Sequence, residues 1–178
     1  MKDRFGATGR STYQVEVGTE VAIALQEASP LQAEGVRVDV PDYMSEIVAT
    51  LSHLARSSPH INQRSGVSVR FTITNHEVMV ANAARRALRH GEREVSPRVS
   101  DLEALPASMM GKIEIEALEE GRDAQIAENP VRAAVLSVFK ERLSPERFRP
   151  SVSAFNDGAV LHAGEDGTTA ESGALPEQ

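Results

Sequence analysis

A chain of 178 residues has room for one domain, or for one domain and a tail. Its apolar content of 40% can bury a modest core, while 4% aromatics without Trp leave no stacking platform for bases or sugars. The absence of Cys excludes disulfides, thiol nucleophiles, iron–sulfur clusters and cysteine zinc sites together.

The net charge of −7 is unevenly spread. Glu165, Asp166, Glu171 and Glu177 lie in a C-terminal stretch without Lys or Arg, and account for four of those charges. An acidic surface repels phosphate backbones, so charge disfavours general nucleic-acid binding. No apolar run has membrane-spanning length, and Met1-Lys2-Asp3-Arg4-Phe5-Gly6 is not followed by a hydrophobic leader segment. The expectation is a soluble, cytoplasmic chain with no membrane partner.

In chain order, Thr12 to Val17 alternates, with Tyr13, Val15 and Val17 on one face, which predicts a strand. Val36, Val38 and Val40 alternate again, briefly. Two such short strands cannot satisfy each other's edges as a free sheet, so the first forty residues read as the end of a larger fold. From Asp42 the pattern is helical: Tyr43, Ile47, Val48, Leu51, Leu54 and Ala55 recur at helical steps, with Asp42 as cap and Ser57-Ser58-Pro59 as the stop. Thr74-Asn75-His76-Glu77 has capping-box spacing and predicts the start of a helix over Val80, Ala84, Ala87 and Leu88 that stops at Gly91. A shorter helix is expected from Ser100-Asp101 to Pro106. Another is expected from Pro130 to Leu143, ended by Pro145 and Pro150. Beyond Ala163 there is no periodicity, and a disordered tail is expected. The fold class read from these patterns is mainly α.

No catalytic motif is complete in the sequence. Gly111-Lys112 is followed by Ile113, and Pro106 stands where the first glycine of a phosphate loop belongs, so there is no Walker A. No hydrophobic run leads into an Asp-Glu pair. His76-Glu77 lacks the second His of a zincin, and His53, His60, His90 and His162 show no ligand spacing, so no metal site is expected. Ser65-Gly66 and Ser68 lack a nucleophile-elbow frame. Glu114 and Glu116 read as a solvated strand face.

Arginine is what remains. Arg4 lies ahead of the first strand, and Arg64 and Arg70 lie in Asn62-Gln63-Arg64-Ser65-Gly66-Val67-Ser68-Val69-Arg70. Arg85, Arg86 and Arg89 follow on the helix, and for these a solvated polar face is the simpler reading. The planar, permanently charged guanidinium suits a transferring phosphoryl group.

Asp3-Arg4-Phe5-Gly6, a short strand, a helix, and a second helix introduced by Gly66-x-Ser68-x-Arg70 together resemble the end of an AAA+ ATPase module. The likeness is to the magnesium-chelatase ATPase-subunit and MoxR branch, and within it to bacterial magnesium-chelatase-like proteins. His90-Gly91-Glu92-Arg93-Glu94-Val95 and Gly111-Lys112-Ile113-Glu114-Ile115-Glu116 belong to the same likeness. It implies a helical lid-type bundle with a residual strand of a truncated α/β core. The divisions are 1–40, end of the core and connector; 41–106, lid; 107–162, helical extension; 163–178, acidic tail. It implies that Arg4 is an arginine finger reaching a neighbour's γ-phosphate, and that Arg70 is a sensor-2 arginine, with Arg64 as the substitute. Ungapped counting from Ala83-Ala84-Arg85 would put the sensor near Thr74, so Arg70 requires a small insertion.

Without Walker motifs the chain is not expected to bind ATP and Mg2+ alone; both belong to the full-length context. The chain is then either a C-terminal fragment, which is favoured, or a free-standing lid. The implied partners are other subunits of an AAA+ ring or the missing ATPase core, and a protein client. The alternative is a free-standing helical interaction module with docking faces at Val78–Leu88 and Val131–Phe139. A third reading, DNA recognition through Arg85, Arg86, Arg89, Arg93 and Arg98, has only that basic cluster in its favour.

Overall fold

A computed structural model describes residues 16–28, 35–61, 67–110 and 123–158, with only the backbone at 123–128, 145 and 147. The architecture is mainly helical. In order it comprises α1 (Val17–Glu27), β1 (Arg37–Val38), α2 (Asp42–Ser57), α3 (Val69–His90), β2 (Glu94–Val95), a 3₁₀ segment (Val99–Ala104), α4 (Leu105–Met110), α5 (Asp123–Arg142) and α6 (Pro145–Asn156).

Helix α2 is the axis. Its stripe of Met44, Ile47, Val48, Leu51 and Ala55 is fully or nearly fully buried, against α1 and α3 and most extensively against α5. The same core takes in Phe71 and Met79 from α3, Leu102, Leu105 and Met109, and Val131, Ala134 and Val138 from α5. Packing therefore crosses from the 41–106 segment into the 107–162 segment. Arg142 in the last turn of α5 closes the α2–α5 interface with two hydrogen bonds to Glu46, at 2.7 and 2.5 Å.

β1 and β2 pair in parallel, Arg37 opposite Glu94 and Val38 opposite Val95. Arg37 donates to the Arg93 carbonyl at 2.8 Å and Asp39 to the Val95 carbonyl at 2.9 Å. The brief Val36–Val38 alternation is this strand: both side chains pack on Ala83, Ala87 and Val95, a small satellite core beneath the C-terminal half of α3. The exposed Arg37–Glu94 ion pair across the strands adds little.

Several expectations about the elements change. Val17 opens a helix rather than closing a strand; residues 12–15 of that expected strand lie outside the described residues, as does the tail. Helix α3 starts at Val69, five residues before Thr74, so Thr74-Asn75-His76-Glu77 lies inside the helix and caps nothing. Pro106 is the second residue of α4 rather than a terminator, and Pro145 the first of α6; proline is tolerated in a first turn because its missing N–H has no helical acceptor there. Pro130 and Pro150 sit within helices. The Phe148 ring stacks on Phe139, centroids 5.3 Å apart, and fastens α6 to α5.

Gly91 does end α3. It adopts φ 67°, and Glu92 donates back to the Ala87 carbonyl at 2.9 Å. No atom crowds a Cβ at Gly91 or at Gly18 in the first turn of α1, so the backbone alone decides each substitution. Gly91→Ala is expected to lose about 1 kcal/mol through its left-handed conformation. Gly18→Ala is expected to gain about 0.5 kcal/mol by restricting the unfolded chain. Urea denaturation of the two variants reads opposite signs.

Candidate functional site

Helix α1 turns a carboxylate, not a hydrophobe, into the bundle. Its buried residues are Glu20 and Ala24, one helical turn apart, and Glu20 has no solvent exposure. Arg56, in the last turn of α2, meets it with two parallel hydrogen bonds of 2.6 Å. Thr72 of α3 donates a short hydrogen bond to the same carboxylate, and the Ser52 and Thr72 hydroxyls are 2.6 Å apart. His53 Nε2 lies 2.8 Å from Glu20 Oε2, an ion pair when protonated although it is not aligned as a hydrogen bond. The third arm of Arg56, Nε, donates to the Val67 carbonyl at 2.9 Å, just before α3 begins. One guanidinium thus ties α1, α2 and the start of α3 together.

Burial opposes ionisation of Glu20, but hydrogen bonds from Arg56 and Thr72 and the neighbouring Arg56 and His53 charges outweigh it. They hold the carboxyl below the usual carboxylate range. Farther along α3 a second polar group is enclosed: His76 Nε2 stands 3.5 Å from the Ser45 hydroxyl, while its Nδ1 and both amide atoms of buried Asn75 have no partner among the described residues. Burial pushes the His76 imidazole below its ordinary value, against a weaker opposing effect of Glu77.

A third polar cluster joins the far end of α3 to the 3₁₀ segment. Arg86, 7% exposed, donates through Nη2 to Asp101 at 2.9 Å and to the Ser96 carbonyl at 3.0 Å. Asp101 also accepts the Arg98 backbone N–H at 2.8 Å, which closes the 3₁₀ turn.

An apolar groove of about 1020 Å³ runs between the 3₁₀ segment, α4 and α5. Val99, Met110, Leu136 and Phe139 stand about half exposed along it.

Of the arginines singled out from the sequence, Arg4 and Arg64 lie outside the described residues. Arg70 is the second residue of α3, exposed and without an ion-pair partner among the described residues. Of the expected docking faces, Val78–Leu88 is mostly core, with Met79, Ala83, Ala84 and Ala87 buried and Leu88 exposed; Val131–Phe139 contributes Leu136 and Phe139 to the open groove. Arg86 is not a solvated residue: it falls on the buried stripe of Met79, Ala83 and Ala87, and that burial removes it from any DNA-facing set. Its place on the stripe was a periodicity signal. Glu20 and Arg56 belong to no motif; the one signal for Glu20 is its helical spacing from Val17 and Ala24, and it emerges only once this segment is seen to be a helix rather than a strand. Among the described residues no group of three or more His, Asp or Glu could hold a metal, and no helix is long and apolar enough to cross a membrane.

No protein-family model matches the chain, and no curated protein or solved structure matches it either.

Glu20→Gln leaves the Arg56 charge buried against a neutral amide, and a loss of about 3–5 kcal/mol is expected. The double variant Glu20→Leu/Arg56→Met should recover most of it, since neither charge is then stranded; chemical denaturation of the two variants gives the comparison. Glu20 and His76 are both depressed in the folded state, so on acidification the unfolded chain takes up each proton first. Stability is therefore expected to fall as pH drops below about 6.5 through His76, and again below about 4.5 through Glu20. Denaturation midpoints measured from about pH 8 to about pH 2 follow both phases, and His76→Gln should remove the first.

Proposed function

We propose that this chain is the C-terminal lid region of a magnesium-chelatase-like AAA+ ATPase, whose Walker A and B elements lie on another segment or polypeptide. The observation that carries the reading is the placement of Arg70. It projects from the first turn of α3, exposed and without an ion-pair partner among the described residues, while Thr72 in the same turn is buried against Glu20. A cation held on a turn that cannot drift is what phosphate sensing requires: the charge must keep its direction as the nucleotide state changes. The Gly66-x-Ser68-x-Arg70 order that carries the sequence likeness fits this arrangement, since Ser68 stands at the N-cap position of α3. In this reading Arg4 supplies the finger to a neighbour's γ-phosphate, and Arg70, with Arg64 close in sequence, senses the chain's own nucleotide or its neighbour's. Lid movement then remodels a client or drives metal insertion. ATP and Mg2+ are held by the assembled enzyme.

A second reading, a helical interaction module without nucleotide chemistry, has the open groove of α4 and α5 in its favour. Val99, Met110, Leu136 and Phe139 expose apolar surface there, a feature of contact surfaces in soluble domains.

The purified chain is expected to show no ATP turnover. In the assembled ATPase, Arg4→Ala should lower kcat by about 10³-fold or more with nucleotide binding retained, in keeping with the contribution of an arginine finger. Arg70→Ala should lower hydrolysis with the helical content unchanged. Steady-state turnover and nucleotide-binding isotherms measure both. Full turnover in the two variants would remove the nucleotide role and leave the interaction module.

A further inference from the structure

Asn82, Arg85, Arg86 and Arg89 recur at three- and four-residue steps and share one face of α3. Where that face meets the 3₁₀ segment, it lines a polar pocket of about 130 Å³ that Ser100, Asp101 and Glu103 close from the other side.

The pocket contains an unfinished charge. Arg86 is more than nine-tenths buried, and its Nη2 serves both Asp101 and the Ser96 carbonyl. Its Nε and Nη1 are shielded from bulk water and have no hydrogen-bond partner among the described residues. Three N–H groups of a permanently charged side chain are therefore unmade. Burying such donors without acceptors is costly, so a buried guanidinium in this state calls for an acceptor. Asp101 meets neither Nε nor Nη1. Its Oδ2 already takes Arg86 and the Arg98 backbone N–H, and its Oδ1 faces the Asn82 amide at 3.4 Å. Arg85 and Arg89 stand exposed at the rim. Three arginines against Asp101 and Glu103 leave the pocket one positive charge in excess, in a chain whose overall charge is −7.

We propose that this pocket binds a small phosphate-type oxyanion, with Arg86 beneath it, Arg85 and Arg89 at the rim and the Ser100 hydroxyl as an additional donor. Donors converging from several sides suit a tetrahedral anion with several acceptor oxygens better than a planar carboxylate. The volume equals the share of roughly four liquid waters, room for a phosphoryl group but not for a nucleoside. The bound species is therefore free phosphate or the phosphoryl end of a phosphomonoester. The site is separate from Arg70, which lies sixteen residues earlier on α3, about 24 Å along the helix axis. It does not depend on the lid reading.

The test is a titration of the whole chain with inorganic phosphate, and in parallel with glycerol phosphate, each against sodium chloride at matched ionic strength. Backbone amide NMR shifts are the readout. Saturable shifts centred on Arg85–Arg89 and Ser100–Asp101 are expected with phosphate and absent with chloride. Arg85→Gln/Arg89→Gln, which alters only exposed side chains, should weaken the affinity at least about tenfold, the effect of losing one good interaction. Arg70→Gln should leave it unchanged. Binding of phosphate alone assigns the pocket to the free ion, and binding of both ligands assigns it to a phosphoryl end. Equal shifts in chloride, or undiminished affinity in the Arg85/Arg89 double variant, would overturn the proposal. Phosphate shifts confined to the start of α3 and lost in Arg70→Gln would overturn it too, while favouring the lid reading.

Discussion

The bundle depends on the contact between Glu20 and Arg56. A carboxylate with no exposure is tolerable only if its charge and its lone pairs are all answered, and here a two-pronged guanidinium and the Thr72 hydroxyl answer them. Because the partners belong to three helices, the cost of burying the charge is offset only when all three are in place. The pair therefore acts less as a source of stability than as a condition on geometry. It fixes α1, whose Val17, Val21 and Ile23 are only partly buried, and it aligns the last turn of α2 with the start of α3.

That condition reaches the exposed surface through Arg56 Nε and the Val67 carbonyl. The residues between Val67 and Thr72 are held at both ends, and Arg70 stands between them. An exposed arginine on an ordinary helix end would sample many directions; one on a turn gripped from beneath keeps its backbone origin. The turn that carries Arg70 is thus hydrogen-bonded on both sides of it.

Helix α3 is a shared element with different chemistry along its length. Its beginning is locked by the Glu20 network, its middle buries Asn75 and His76 with atoms unpaired, and its end packs small alanines on the two-residue strands and joins Asp101 through Arg86. Four polar side chains (Thr72, Asn75, His76 and Arg86) are thus turned inward along one helix. Such a helix is specified by partners rather than by hydrophobicity, and small changes of protonation or of ligand at either end act on the same rigid rod.

The sequence by itself determined the mainly helical class, the extent of α2 and the stop at Gly91, because these follow from local periodicity and from a backbone conformation that glycine tolerates best. It also marked the Val36–Val38 strand, though not the partner at Glu94–Val95 that makes it stable. Only the tertiary structure decided which polar residues are inside. Glu20 reads as a surface acid until Arg56, thirty-six residues later, is brought to it, and Arg86 reads as a surface base until the 3₁₀ turn presents Asp101. The prolines show the same division: Pro106, Pro130, Pro145 and Pro150 punctuate the sequence, yet all four lie within helices. Local chemistry sets what a residue prefers, and burial against distant partners sets what it can be made to accept.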